Sequence, residues 1–195
     1  MAQHTHQTAP TQFVDAAGIR FAYRRFGKSG DVPLVFNMHF TGTMDHWDPA
    51  VTDGLAATRE VILFNNAGIS STGGEVPTSV EEMAANAAAF IKALGLTRVD
   101  VLGFSLGGFV AQTRAGAFDY LREIFQPTLV INGNNDVILY TVNSLLLQQN
   151  LPNAQLILYP DSSHGSQYQY PALFVGDVTR FLDAKVPFPT ETDHG

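Results

Sequence analysis

The stretch Gly103-Phe104-Ser105-Leu106-Gly107 restricts this chain more than any other. It follows the apolar run Val99–Leu102 without a linker and passes directly into Gly108–Gln112, so a strand must turn sharply into a helix around the serine. A serine at such a turn sits in a strained backbone conformation, and the flanking glycines let neighbouring elements approach without a side-chain clash. The hydroxyl is thereby exposed. The Leu106 N–H and the start of the following helix point to where negative charge would develop during acyl transfer.

The remaining pattern supplies the sheet this turn needs. Thr11–Asp15 and Ile19–Phe26 flank Ala16-Ala17-Gly18 as an antiparallel hairpin. Pro33–Met38 and Glu60–Asn65 are almost continuously apolar, as expected of central strands covered on both faces. Asp45–Ala57 reads as a helix, and a second begins after Thr78-Ser79 with early acidic charge, carries Met83, Ala87, Phe90, Ile91 and Leu94 at helical spacing, and stops at Gly95. A strand over Arg98–Gly103 and a helix from Ser105 through Ala111 to Glu123 follow. The chain ends with a strand at Thr128–Asn132, a helix at Thr141–Gln149, a strand at Gln155–Tyr159 and a helix at Pro171–Ala184. This alternation predicts an α/β fold with a mostly parallel sheet, helices on both faces and an antiparallel hairpin in front.

A single domain over residues 11–185 is expected, between tails at 1–10 and 186–195. His4 and His6 fall in the first tail, which reads as disordered and without a function. The net charge of −7 and the lack of a Lys/Arg cluster argue against nucleic acid and anionic membranes as partners. The absence of cysteine excludes disulfides, thiolate catalysis and Cys-based zinc sites. No cofactor or metal is expected. The N-terminus lacks the basic start and apolar stretch of a secretory signal, and no apolar run is long enough to span a bilayer, so a cytoplasmic location is the simplest expectation.

A serine hydroxyl needs a base, and the base needs a carboxylate to fix its tautomer. His164, in a small-residue loop after a strand, is favoured over His39, His46 and His194. Asp136 follows the Leu129–Gly133 segment at the sheet edge where α/β proteins place catalytic groups. Asp161 is the reserve acid, and Asp177 is expected on the outer face of the last helix. The order Ser105, Asp136, His164 is the one expected when a GxSxG turn carries a triad.

With these residues placed, the chain resembles the α/β-hydrolase family, particularly its cofactor-free haloperoxidase-like and small esterase-like branch, over about residues 12–184. The resemblance rests on the serine turn together with Phe40–Pro49, Phe64–Ser71, Pro127–Gly133 with Asp136, and the segment ending in His164-Gly165. It implies that the loop after Pro33–Met38 supplies a second oxyanion N–H, on Phe40 or, if the register is one off, on Thr41, to join that of Leu106. Thr41, Met44, Val137 and Ile138 are then expected to contact substrate.

Three departures stand out. Met38-His39 occupies the place of the family's His-Gly, and the arginine often found near Asn65-Asn66-Ala67 is missing. Only 31 positions separate Ser105 from Asp136, which implies loss of the cap domain and one core strand. Thr128–Asn132 could then pair directly with Arg98–Gly103, or a second copy could fill the place by strand exchange, giving a homodimer. The expected activity is hydrolysis of short carboxylic esters through an acyl-serine. The same triad using peroxide, in a perhydrolase or haloperoxidase, and a non-catalytic binding protein on this scaffold are the alternatives.

Overall fold

The computed structural model describes residues 4–30, 32–39, 41–112 and 118–184. The chain forms two compact units, residues 1–115 and 116–195.

The first unit is built on a five-stranded mixed sheet of order β1-β2-β4-β3-β5, with β1 Gln12–Ala16, β2 Ile19–Gly27, β3 Leu34–Asn37, β4 Glu60–Phe64 and β5 Asp100–Gly103. β1–β2 and β2–β4 are antiparallel, whereas β3 runs parallel to both β4 and β5. Ala17 and Gly18, with φ of 50° and 79°, close the hairpin in the left-handed region, as a two-residue turn between twisted strands requires.

Both sheet faces are covered, which explains the unbroken apolar runs of β3 and β4. On one face Phe21, Tyr23, Val35, Ile62 and Phe64 pack with Met83, Ala87 and Phe90 of α2 (Val80–Ala93) and Val110 of α3 (Leu106–Gln112). Phe90 stacks on Phe64 with ring centroids 4.5 Å apart. The opposite face meets α1 (Pro49–Ala56), and Phe36 meets Trp47 edge-on at 4.9 Å.

The helix expected over Asp45–Ala57 is divided. Met44–His46 forms one 3-10 turn, Trp47 and Asp48 are extended, and α1 starts at Pro49. Proline disfavours a helical residue before it and needs no N–H partner at a first helical position, while Asp48 caps the Ala50 N–H at 2.8 Å.

Within the segment expected as a tail, His6 packs into the first unit. His6 is buried, with its Nδ1 2.9 Å from Thr52 Oγ1, its backbone N–H donating to Asp53 at 2.7 Å and its ring edge-on to Phe26.

The second unit holds a two-stranded parallel sheet, β6 (Thr128–Gly133) with β7 (Ala154–Tyr159). Within this unit β6 pairs with β7 over Thr128–Gly133 and Ala154–Tyr159. Helices α4 (Thr141–Asn150), α5 (Ser166–Gln169) and α6 (Pro171–Asp183) complete the unit. Phe118–Glu123, expected to continue the helix after Ser105, winds instead as a 3-10 segment. No helix among the described residues is long and apolar enough to cross a membrane.

Candidate active site

In the first unit, β5 delivers Ser105 into a turn with φ of 56°, a left-handed conformation that a serine adopts only under constraint. The constraint is visible on both sides. The Phe104 N–H donates to Asn37 O at 3.0 Å, tying the turn to the end of β3, and the Gly107 and Gly108 N–H groups close onto Phe104 O and Ser105 O at 2.9 Å each.

The two motif glycines are sterically required. A Cβ on Gly107 would lie 2.1 Å from Asn37 O, and one on Gly103 would lie 2.3 Å from Gly107 O. Leu106 opens α3, where backbone N–H groups have no partner within the helix.

The loop after β3 is shaped by a residue pair that sequence reasoning missed. His39 stands where the resemblance leads one to expect glycine, and Gly42 makes room for it: a Cβ there would fall 2.5 Å from Met38 Cγ and 2.9 Å from His39 Nε2. The His39 ring lies parallel to that of His46 and edge-on to Phe104, with centroids 6.4 and 5.8 Å away. His46 Nδ1 in turn accepts the Thr43 N–H at 2.9 Å. Phe40, assigned to the oxyanion site from sequence, lies outside the described residues. Thr41 is exposed, but Met44, expected to line the substrate, is buried with its N–H donating to Asn65 Oδ1 at 2.7 Å.

The second unit brings His164 and Asp136 together. Asp136 ends the turn after β6, and its buried carboxylate receives the His164 Nδ1–H on Oδ2 at 2.9 Å and the N–H groups of Ile138 and Leu139 on Oδ1 at 2.8 and 2.9 Å. Burial pushes the carboxyl up. The hydrogen bonds from His164, Ile138 and Leu139 outweigh it and hold Asp136 below its usual range, so it is the ionised acceptor for the Nδ1 proton.

The loop carrying His164 is itself fastened. The Asn134 and Asn135 N–H groups donate to Tyr159 O and Ser162 O at 2.9 Å, and Gly133 lets Ser162 pass so closely that a Cβ would lie 2.2 Å from its carbonyl. Gln169 Oε1 accepts the Ser163 N–H at 2.8 Å and lies 3.0 Å from Ser162 Oγ. None of these supporting groups carries a recognisable motif.

The other acids are placed differently. Asp161 is exposed, and His164 bonds to Asp136. Asp177 is buried rather than on an outer face: it accepts the Tyr159 hydroxyl at 2.8 Å and pairs with Arg180 at 3.1 Å. Burial and Asp177 together push the Tyr159 hydroxyl well above its usual range, which makes this a structural pair. His194 lies outside the described residues. No three His, Asp or Glu side chains among the described residues gather to hold a metal.

No family model matches the chain. A solved α/β-hydrolase-fold protein from Chitinophaga pinensis is 32% identical, with a TM-score of 0.84 over 93% of this chain and 100% of its own. The chain belongs to the α/β-hydrolase family. Among curated α/β-hydrolases, it is 38% identical to a pimeloyl-[acyl-carrier protein] methyl ester esterase of Nitrosospira multiformis over 31% of this chain and 23% of that protein. It is 37% identical to a protein assigned as a non-heme bromoperoxidase in Mycobacterium tuberculosis, over 48% of this chain and 36% of that one. The chain thus matches well under half the length of these two relatives.

Proposed function

We propose that the chain is a serine carboxylic-ester hydrolase in which Ser105, His164 and Asp136 act as a triad. The observation that carries this reading is the left-handed Ser105 at a strand-to-helix turn that only glycine at 103 and 107 can form. A nucleophile held at a sharp strand-to-helix turn requires such strain.

In this reading Ser105 Oγ attacks the ester carbonyl while His164 Nε2 takes its proton. The ionised Asp136 stabilises the resulting imidazolium, and the Leu106 N–H and the loop after β3 receive the oxyanion. His164 returns the proton to the leaving alcohol, and water, activated by the same ring, then releases the acid from Ser105. Thr41, Val137 and Ile138, all exposed, suit short and varied acyl groups rather than one enclosed substrate; Met44 drops out because it is buried. Hydrolysis of short-chain aryl esters tests the assignment. Ser105→Ala should fall to the uncatalysed background, and a rate equal to the wild type would refute it.

A second reading is favoured by the similarity to the bromoperoxidase-assigned relative. Hydrogen peroxide in place of water at the acyl-serine would release a peracid. Peracid and acid yields measured together in the presence of peroxide separate the two.

A further inference from the structure

An imidazole shapes the loop after β3. Thr43 caps the 3-10 turn Met44–His46, its hydroxyl accepting the Asp45 N–H at 3.3 Å, and the His46 N–H closes onto Thr43 O at 3.0 Å. In a capping box the third residue of the turn is commonly Glu or Gln, whose side chain reaches back to the N–H of the capping residue. His46 fills that role here, with Nδ1 accepting the Thr43 N–H at 2.9 Å. A ring that accepts on Nδ1 is neutral and carries its proton on Nε2.

This bond fixes the middle of the loop. One end is anchored by His39, whose ring is edge-on to Phe104 at 5.8 Å and whose carbonyl accepts the Gly42 N–H at 3.0 Å. The other is anchored by Met44, whose N–H donates to the buried Asn65 at 2.7 Å. Between these anchors stand Thr41, which is exposed, and Gly42, which has no side chain to restrain its backbone. The partner of the Thr43 N–H therefore decides whether residues 41–43 keep one conformation. The His46 ring also lies parallel to that of His39, with centroids 6.4 Å apart, so the group that holds Thr43 is aligned with the one that meets the residue before Ser105.

We propose that His46 is a positioning residue for acyl transfer at Ser105: by holding the Thr43 N–H, it keeps the loop after β3 in the conformation that receives the oxyanion. This rests on the ester-hydrolase reading. The role requires no contact with substrate. Charge on the carbonyl oxygen develops only as Ser105 attacks, so a misplaced loop weakens the transition state more than the bound ester. Loss of the Thr43 bond then lowers kcat and leaves KM nearly unchanged.

Two substitutions separate the acceptor from the ring. His46→Gln keeps an acceptor suited to this capping position, whereas His46→Phe keeps a flat ring beside His39 but accepts no hydrogen bond. Both should show unchanged circular dichroism, since His46 is exposed. On short aryl esters kcat of His46→Phe should fall about 10²-fold with little change in KM, and His46→Gln should restore it. Exchange of the Thr43 amide, followed by NMR, reads the positioning without substrate: slow in the wild type and His46→Gln, fast in His46→Phe. A His46→Phe enzyme that keeps its kcat, a loss confined to KM, or a His46→Gln enzyme as slow as His46→Phe overturns the proposal. Equal Thr43 exchange in all three proteins does so too. Failure of the ester-hydrolase reading looks different: the wild type then hydrolyses no ester and takes up no fluorophosphonate while Thr43 exchange still separates His46→Phe from the other two. That outcome overturns the catalytic part of the proposal and leaves His46 a role in folding the loop alone.

Discussion

His164 Nδ1 lies 2.9 Å from Asp136 Oδ2, while Asp136 Oδ1 is held by two backbone N–H groups from the turn that follows it. The carboxylate therefore cannot rotate away from the ring without losing bonds on its other oxygen. This fixes one tautomer of His164. Asp136→Asn keeps the shape but offers an amide that can donate, which permits the wrong tautomer. In the proposed mechanism kcat on short esters should fall roughly 10³–10⁴-fold with little change in KM, read from steady-state kinetics.

The same bonds make the second unit acid-sensitive. Asp136 has its carboxyl below the ordinary aspartate value of 3.8 in the folded chain, so its contribution to stability is complete above that value and is lost as pH falls through the lower folded value. Hydrogen exchange of the β6 amides should show wild type more protected than Asp136→Asn near neutrality, with the difference shrinking below about pH 4.

His6 gives the first unit a dependence at higher pH. Burial and the nearby Arg24 charge lower its ring below the ordinary histidine value of 6.5, outweighing the opposing effects of Asp53, Asp45 and Asp48. The neutral ring is the form the fold accepts, so stability is full above 6.5 and declines as pH drops through that value towards the lower folded one. Trp47, the single tryptophan, is buried in this unit and reports its urea unfolding. The wild-type midpoint should fall from about pH 8 to about pH 5 relative to His6→Gln, which does not titrate.

The serine turn makes a paired prediction. Gly107→Ala drives a Cβ into the Asn37 and Met38 carbonyls, at 2.1 and 2.8 Å, and should destabilise the first unit by about 1–3 kcal/mol or more. Gly108→Ala meets nothing nearer than 3.6 Å and replaces a poor helix residue, so its effect should lie within about 1 kcal/mol of zero and tend to stabilise. Trp47 fluorescence in urea measures both.

What was readable in the chain was local. The hairpin turn, the buried runs of β3 and β4, the capped start of α2 and the serine turn are each written in adjacent residues. The break at Asp48-Pro49 was also written there, as a capping residue before a proline at the first helical position. Long-range placements were not readable. Nothing near His6 announces Thr52 and Asp53, and nothing in α6 announces that Asp177 turns inward to Tyr159. Met44 looked like a site residue because it sits in a matching loop, yet Asn65 draws its backbone into the core. The pairing of β6 depends on which distant strand offers an edge, and local pattern is silent on that.

Ser105 as the nucleophile is the central claim, and covalent labelling tests it most directly. Folded protein treated with a fluorophosphonate and digested for peptide mass spectrometry should carry one adduct, on Ser105, absent from Ser105→Ala and slowed in Asp136→Asn. Equal labelling of wild type and Ser105→Ala, or a folded wild type that takes up no probe, would contradict the account.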